Sequence, residues 1–126
     1  MNNISYSAVV LDQESHDRLI KVFKPMIPDD WELLAHHSTI NMGEINSQYR
    51  NDIGMEVQLT VIDYAMDFMV MAVGVEGYHT QNNKAHITVA VNRLAGGKPF
   101  MSNKLDNWQP IKFPLKLTGV VTEVTR

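Results

Sequence analysis

The sequence predicts an α+β fold, mostly antiparallel, with one main helix packed on a sheet. Three observations carry this expectation. Val57, Leu59 and Val61 alternate with Gln58 and Thr60, the period of a half-buried strand. The run from Phe68 to Val75 is almost continuously apolar, as a central strand would be. One substantial stretch, Gln13 to Phe23, spaces its apolar residues as one helical face, with Leu19, Ile20 and Phe23 set among Glu14, His16, Asp17, Arg18 and Lys21. At 126 residues the chain fills one domain, 1–126, and is too short for two independent cores.

The elements follow in order. Ile4 to Leu11 reads as a strand that stops at Asp12, whose carboxylate suits the N-cap of the helix after it. Pro25 and Pro28 end that helix because neither has an N–H to donate. Trp31 to Met42 reads as a strand closed by Gly43, and Asn46 to Ile53 as a short polar helix closed by Gly54. Asp67 or its neighbours turn the chain between the two central strands. A polar loop runs from Gly77 through Gln81-Asn82-Asn83-Lys84, and Ala85 to Val91 is the next strand. Ala95-Gly96-Gly97-Lys98-Pro99 breaks the pattern before a helical turn and loop reaching Pro110. Lys112 to Val124 closes the chain as a strand with bends at Pro114 and Gly119.

Composition removes several function classes. With no cysteine, disulfides, thiolate nucleophiles and cysteine-ligated metal centres are excluded, so chemistry must come from oxygen and nitrogen side chains. The longest apolar run, Phe68 to Val73, is far below the ~18 residues of a membrane span. Met1-Asn2-Asn3 does not open a signal peptide, which makes the cytoplasm the expected location. A formal net charge of -3 supplies no basic field for long nucleic acid, although a local site can still be positive enough for a small phosphate ester or a short RNA end.

Two of the 5 histidines share a local pattern, His37-Ser38-Thr39 and His86-Ile87-Thr88. In a strand, residues two apart project from the same face, so each histidine and its threonine point together. On the first strand Ala35, His37, Thr39 and Asn41 are expected on the open face, with Leu34, His36, Ile40 and Met42 on the apolar one. On the second, His86, Thr88, Ala90 and Asn92 take the open face. Roughly half of one such match is expected by chance from 5 histidines, so the pair and its strand context carry the weight.

These two segments, Ala35-His36-His37-Ser38-Thr39-Ile40-Asn41 and Ala85-His86-Ile87-Thr88-Val89-Ala90-Val91, resemble the 2H phosphoesterases, a family named for paired His-x-Thr/Ser motifs on strands that face one another across a cleft. The likeness runs from about Tyr6 to Val91 and is to small phage-type members, among them anti-CBASS cyclic-oligonucleotide nucleases, and to RNA-repair-like relatives. The resemblance implies two similar lobes around a central cleft. It also implies a metal-independent, cofactor-free phosphodiesterase acting on cyclic nucleotides or oligonucleotides or on 2′,3′-cyclic phosphate RNA ends, in an infected host cell if the chain is phage-encoded. The chain is shorter than many members, which leaves little room for outer helices and capping loops and bears on substrate size.

The chemistry suits the residues. Phosphodiester cleavage removes a proton from the attacking oxygen and gives one to the leaving oxygen, and imidazole does either near neutral pH. Which of His37 and His86 is the base stays open at this level. Thr39 and Thr88 would donate to the nonbridging phosphate oxygens as charge develops there. Tyr6 is the first candidate to stack a base, followed by Trp108 and Tyr78, while Lys84, Arg93 and Lys98 flank the second motif and could offset phosphate charge.

Plainer readings suit the other residues. His36 reads as a core histidine, His16 and His79 as surface and loop residues, Trp31 as a core anchor, and Met66, Met69 and Met71 as core filler. Gly96-Gly97-Lys98 lacks the spacing of a phosphate loop. A histidine-based metal site is disfavoured, since no His-x-x-x-His is present. The alternative to catalysis is a nucleotide-binding protein that sequesters its ligand in the same cleft. Oligomeric state is not legible.

Overall fold

The structure, a computed structural model, describes residues 3–126. Met1 and Asn2, part of the opening read above for signal-peptide character, lie outside the described residues. The helix forms as its pattern predicts: α1 spans Gln13–Phe23, and the Asp12 carboxylate accepts the Ser15 N–H at 2.8 Å. Leu19 and Phe23 bury the apolar stripe of α1.

Among the described residues there are seven strands: β1 (Ile4–Leu11), β2 (Glu32–Leu33), β3 (His37–Met42), β4 (Glu56–Met66), β5 (Val70–Glu76), β6 (His86–Val91) and β7 (Gln109–Thr125). They lie in the order β2-β6-β3-β1-β7-β4-β5, and β5 pairs again with β6. Six strands therefore close into an antiparallel barrel, with β2 as an extra strand on β6. This corrects the expected α+β arrangement of two similar lobes around a central cleft. Two lobes need two sheets, each with its own cover, yet α1 is the single α-helix among the described residues. The sheet instead covers itself by closing, which pairs its strand edges and leaves one main core.

Local irregularities make the closure possible. Bulges fall where Ser7/Ala8 meets β3, where Val61/Asp63 meets β5 and β7, and where Met71/Ala72 meets β6, and bulges sharpen twist and curvature. The bend expected at Pro114 is one of these, because the β4 register jumps from Leu115 to Pro110 there. At Gly119 a side chain would meet Val9 Cγ1 at 2.6 Å and the Val10 carbonyl at 2.8 Å, so only glycine admits β1 so close. Asp67 makes its predicted turn by accepting the Met69 and Val70 N–H groups.

The predicted strand Trp31 to Met42 is split. Leu34 and Ala35 still donate to the Val89 and Thr88 carbonyls at 2.7 and 3.1 Å, but Ala35 takes a left-handed φ of 48°. Such a backbone costs a residue with a Cβ about 1–2 kcal/mol. It also breaks the side-chain alternation just before the first motif.

The main core gathers Val9, Leu59, Val61, Val73, Ile87 and Leu117 with Leu19 and Phe23 of α1. A second, smaller cluster of Ala65, Val70, Ala72, Val91 and Leu105 packs with Met69, Met101 and Trp108. This second cluster seats the segment that follows β6, including the 3-10 turn Pro99–Lys104, on β5 and β6. Among the described residues no helix is long and apolar enough to cross a membrane.

Candidate active site

Both His-x-Thr motifs lie on strands, and the two strands are neighbours. Ser38 of β3 pairs with Ile87 of β6, and both side chains are buried. Alternation then turns His37, Thr39, His86 and Thr88 to the opposite face, away from the main core. Antiparallel pairing at Ser38 and Ile87 also sets His37 across from Thr88 and Thr39 across from His86. The two imidazoles thus stand on a diagonal, with Cα atoms about 7–8 Å apart and Cβ atoms closer by strand geometry, near enough for both rings to face one ligand.

All four residues line one cavity of about 390 Å³, together with Tyr6, Leu34, His36, Met42, Asn82, Arg93, Pro99, Phe100 and Asn103. Strands β1, β3 and β6 form its floor. The loop before β6 and the Pro99–Lys104 turn form its walls.

The histidines differ in their hydrogen bonds. His86 Nδ1 lies 2.8 Å from the Lys84 carbonyl, which can only accept, so His86 carries its proton on Nδ1 and keeps Nε2 for exchange. His37 Nδ1 lies 2.9 Å from His36 Nδ1 and 3.5 Å from the Tyr6 hydroxyl. The Tyr6 ring packs on the His37 ring at 4.6 Å between centroids. Burial, reinforced by the positive charges His36 and His86 would carry nearby, pulls His37 down from 6.5 to about 4. His37 is therefore a neutral imidazole at neutral pH. Burial likewise raises the Tyr6 phenol above its usual range.

The threonines are held unequally. Thr88 Oγ1 lies 2.7 Å from the Ser102 hydroxyl and 3.3 Å from the Pro99 carbonyl, so the Pro99–Lys104 turn is fastened to the second motif. When Ser102, itself buried, donates to Thr88, the Thr88 proton goes to the Pro99 carbonyl at 3.3 Å and must leave that long bond to reach a ligand. Thr39 offers its hydroxyl to the cavity, while its backbone carbonyl accepts the Thr80 hydroxyl at 2.7 Å and anchors the loop before β6.

Of the other expected contacts, Tyr6 reaches the cavity but spends one ring face on His37. Lys84 and Trp108 do not line it. They line an adjoining cavity of about 410 Å³ that shares Asn82, His86 and Asn103 with the first. There Lys84 Nζ pairs with Asp63 at 2.9 Å and sits 4.6 Å from the centre of the Trp108 ring, and the Trp108 Nε1–H donates to the Leu105 carbonyl. Trp108, expected to stack a base, thus carries a lysine against its ring and lines the second cavity. Arg93 lines the first cavity with its guanidinium 3.2 Å from Glu32, and Lys98 lines neither. Tyr78 is turned away, bonded to Asp52 at 2.6 Å.

Several lining residues escaped the sequence reading. His36 is exposed at the cavity rather than packed in the core, because the left-handed Ala35 cancels the alternation that placed it inside. Met42, 75% exposed, lines the cavity because the bulge opposite Ser7/Ala8 reverses facing along β3. Asn41 is accordingly turned inward, where it binds the Met42 and Glu44 carbonyls. Phe100 and Asn103 come from a segment read only as a helical turn; the signal was the proline after the double glycine, which starts that turn. Asn92 caps the turn after β6, and Ala90 is buried, so the open face of β6 ends at Thr88.

Among the described residues no group of three or more histidine, aspartate or glutamate side chains is placed to hold a metal ion. Compared with known proteins, the chain matches no family model and no curated sequence.

Proposed function

We propose that this protein is a phosphodiesterase of the 2H type in its chemistry, cleaving cyclic nucleotides or oligonucleotides, or 2′,3′-cyclic phosphate RNA ends, with two histidines and no metal. The observation that carries the reading is the pair of His-x-Thr motifs on neighbouring antiparallel strands lining one cavity. His37 is the general base and His86 the general acid. His37 is neutral before substrate arrives, and in the tautomer that places the proton of the His36–His37 Nδ1 pair on His37, its Nε2 lone pair is available. A phosphate anion beside it raises its proton affinity as the attacking oxygen is deprotonated. His86 holds Nδ1–H on the Lys84 carbonyl in either charge state, so Nε2 can carry the proton handed to the leaving oxygen.

Thr39 and Thr88 donate to the nonbridging oxygens, where charge builds in the transition state. Arg93 stands at the cavity wall with its charge shared with Glu32. Each acid or base role is typically worth about 10²–10⁴ in rate.

The test is a panel of 2′,3′-cyclic mononucleotides, 3′,5′-cyclic di- and trinucleotides and short RNAs with cyclic ends, read by mass spectrometry. His37→Ala and His86→Ala are each expected to lose at least a hundredfold in turnover while remaining folded, with EDTA without effect. Full activity in the double variant overturns the proposal. Intact ligand recovered from the denatured wild-type complex means sequestration in place of turnover.

A further inference from the structure

The second cavity adjoins the first at His86, the residue read above as the acid. His37, Thr39 and Thr88 line the first cavity alone, so the base and both phosphate donors belong to one side and the acid stands at the boundary. A general acid must touch the oxygen that leaves. Whatever is bonded to that oxygen extends past His86, and the second cavity is the space there.

The two cavities differ in kind. The first has an apolar side built by Leu34, Met42, Pro99 and the exposed Phe100 ring, suited to the flat face of a base. The second adds the carboxamides of Gln81 and Asn83 to the shared Asn82 and Asn103, with the Lys84 ammonium and the Trp108 ring at one side. Carboxamides both donate and accept, which matches base edges and ribose hydroxyls. Gly74 of β5 keeps the Lys84 position open, since a Cβ there would meet Lys84 Cε at 2.7 Å as well as the Asp63 carboxylate.

We propose that the second cavity is a leaving-nucleoside subsite, so that the substrate is a ribonucleoside 3′,5′-phosphodiester with a nucleoside on each side of the scissile phosphate, cyclic or linear. This rests on the phosphodiesterase reading. The 2′-hydroxyl attacks phosphorus and gives its proton to His37. The P–O2′ bond forms as P–O5′ breaks, and His86 protonates O5′. The products are a 2′,3′-cyclic phosphate and a free 5′-hydroxyl, with no water consumed.

The test compares three compounds: the linear dinucleotide ApA, cyclic di-AMP, and adenosine 3′-(methyl phosphate), whose small leaving alcohol leaves the second cavity empty. Wild type is expected to cleave at least one dinucleotide with kcat/KM at least a hundredfold above the methyl ester. In Gln81→Ala/Asn83→Ala, whose two altered side chains are exposed, that ratio is expected to fall at least tenfold with the melting temperature unchanged. Preference for cyclic di-AMP identifies a signalling nucleotide and preference for ApA an RNA; either supports the subsite. Equal cleavage of methyl ester and dinucleotides overturns the subsite and leaves the phosphodiesterase reading standing. An unchanged ratio in the variant overturns the role of the carboxamides and with it the subsite. Cleavage of none of these compounds, and of no cyclic phosphate in the panel above, overturns both.

Discussion

His37 links the site to the stability of the fold, and the link has a sign and a size. In the unfolded chain its imidazole titrates near 6.5, and in the folded protein burial and the neighbouring histidines hold it at about 4. Between those values the unfolded chain binds a proton that the native state refuses. Stability is therefore whole above about pH 6.5, falls as the pH drops, and stops falling from this cause below about pH 4. At pH 5 the full shift would cost about 2 kcal/mol, because each pH unit inside the window is worth about 1.4 kcal/mol. His37 lines a cavity open to water, so screening reduces this to about 1–2 kcal/mol. The perturbation is His37→Asn, which removes the titrating group. Urea unfolding of both proteins at pH 7 and pH 5 measures it: wild type should lose about 1–2 kcal/mol more than the variant on acidification. Most carboxylates remain ionised at pH 5 and affect both proteins alike. Equal losses in the two proteins would refute the burial argument, and with it the assignment of His37 as a neutral base.

Three further outcomes follow from the same geometry. Since kcat/KM reports the free protein, its acidic limb should follow His37 and lie near pH 4, well below the ordinary histidine range; a limb near 6.5 contradicts the role given to His37. Gly74→Ala would drive a Cβ into the Asp63 carboxylate and the Lys84 side chain, so chemical denaturation should show a loss of about 1–3 kcal/mol. Ser102→Ala frees the Thr88 hydroxyl from its 2.7 Å partner, and as Ser102 is a positioning residue, kcat should fall more than KM rises, by about tenfold, with His-dependent pH behaviour retained.

Much of the candidate site's local geometry was legible because strand periodicity is local. His37 with Thr39, and His86 with Thr88, share a face in any straight strand, and β3 and β6 are straight over those residues. His36 was misplaced by the same rule, since alternation extended backwards through Ala35 fails at a left-handed residue that nothing in the sequence marks. Lys84, expected beside the second motif, and Trp108, expected on a loop to stack a base, line the adjoining cavity and not the first, and the Asp63 carboxylate that draws Lys84 aside comes from β4, 21 residues earlier.

The sequence by itself determined the helix, its Asp12 cap, the Asp67 turn and the pairing of each histidine with its own threonine, all consequences of contacts within a few residues. Tertiary structure alone decided that β5 pairs with β6 to close a barrel where two lobes were expected, because a second pairing partner for a strand is a long-range choice made by which surfaces remain uncovered. It also decided that the two motifs meet. Their Ser38–Ile87 pairing joins residues 49 apart, and the low proton affinity of His37 exists only once that pairing buries the ring beside two other imidazoles.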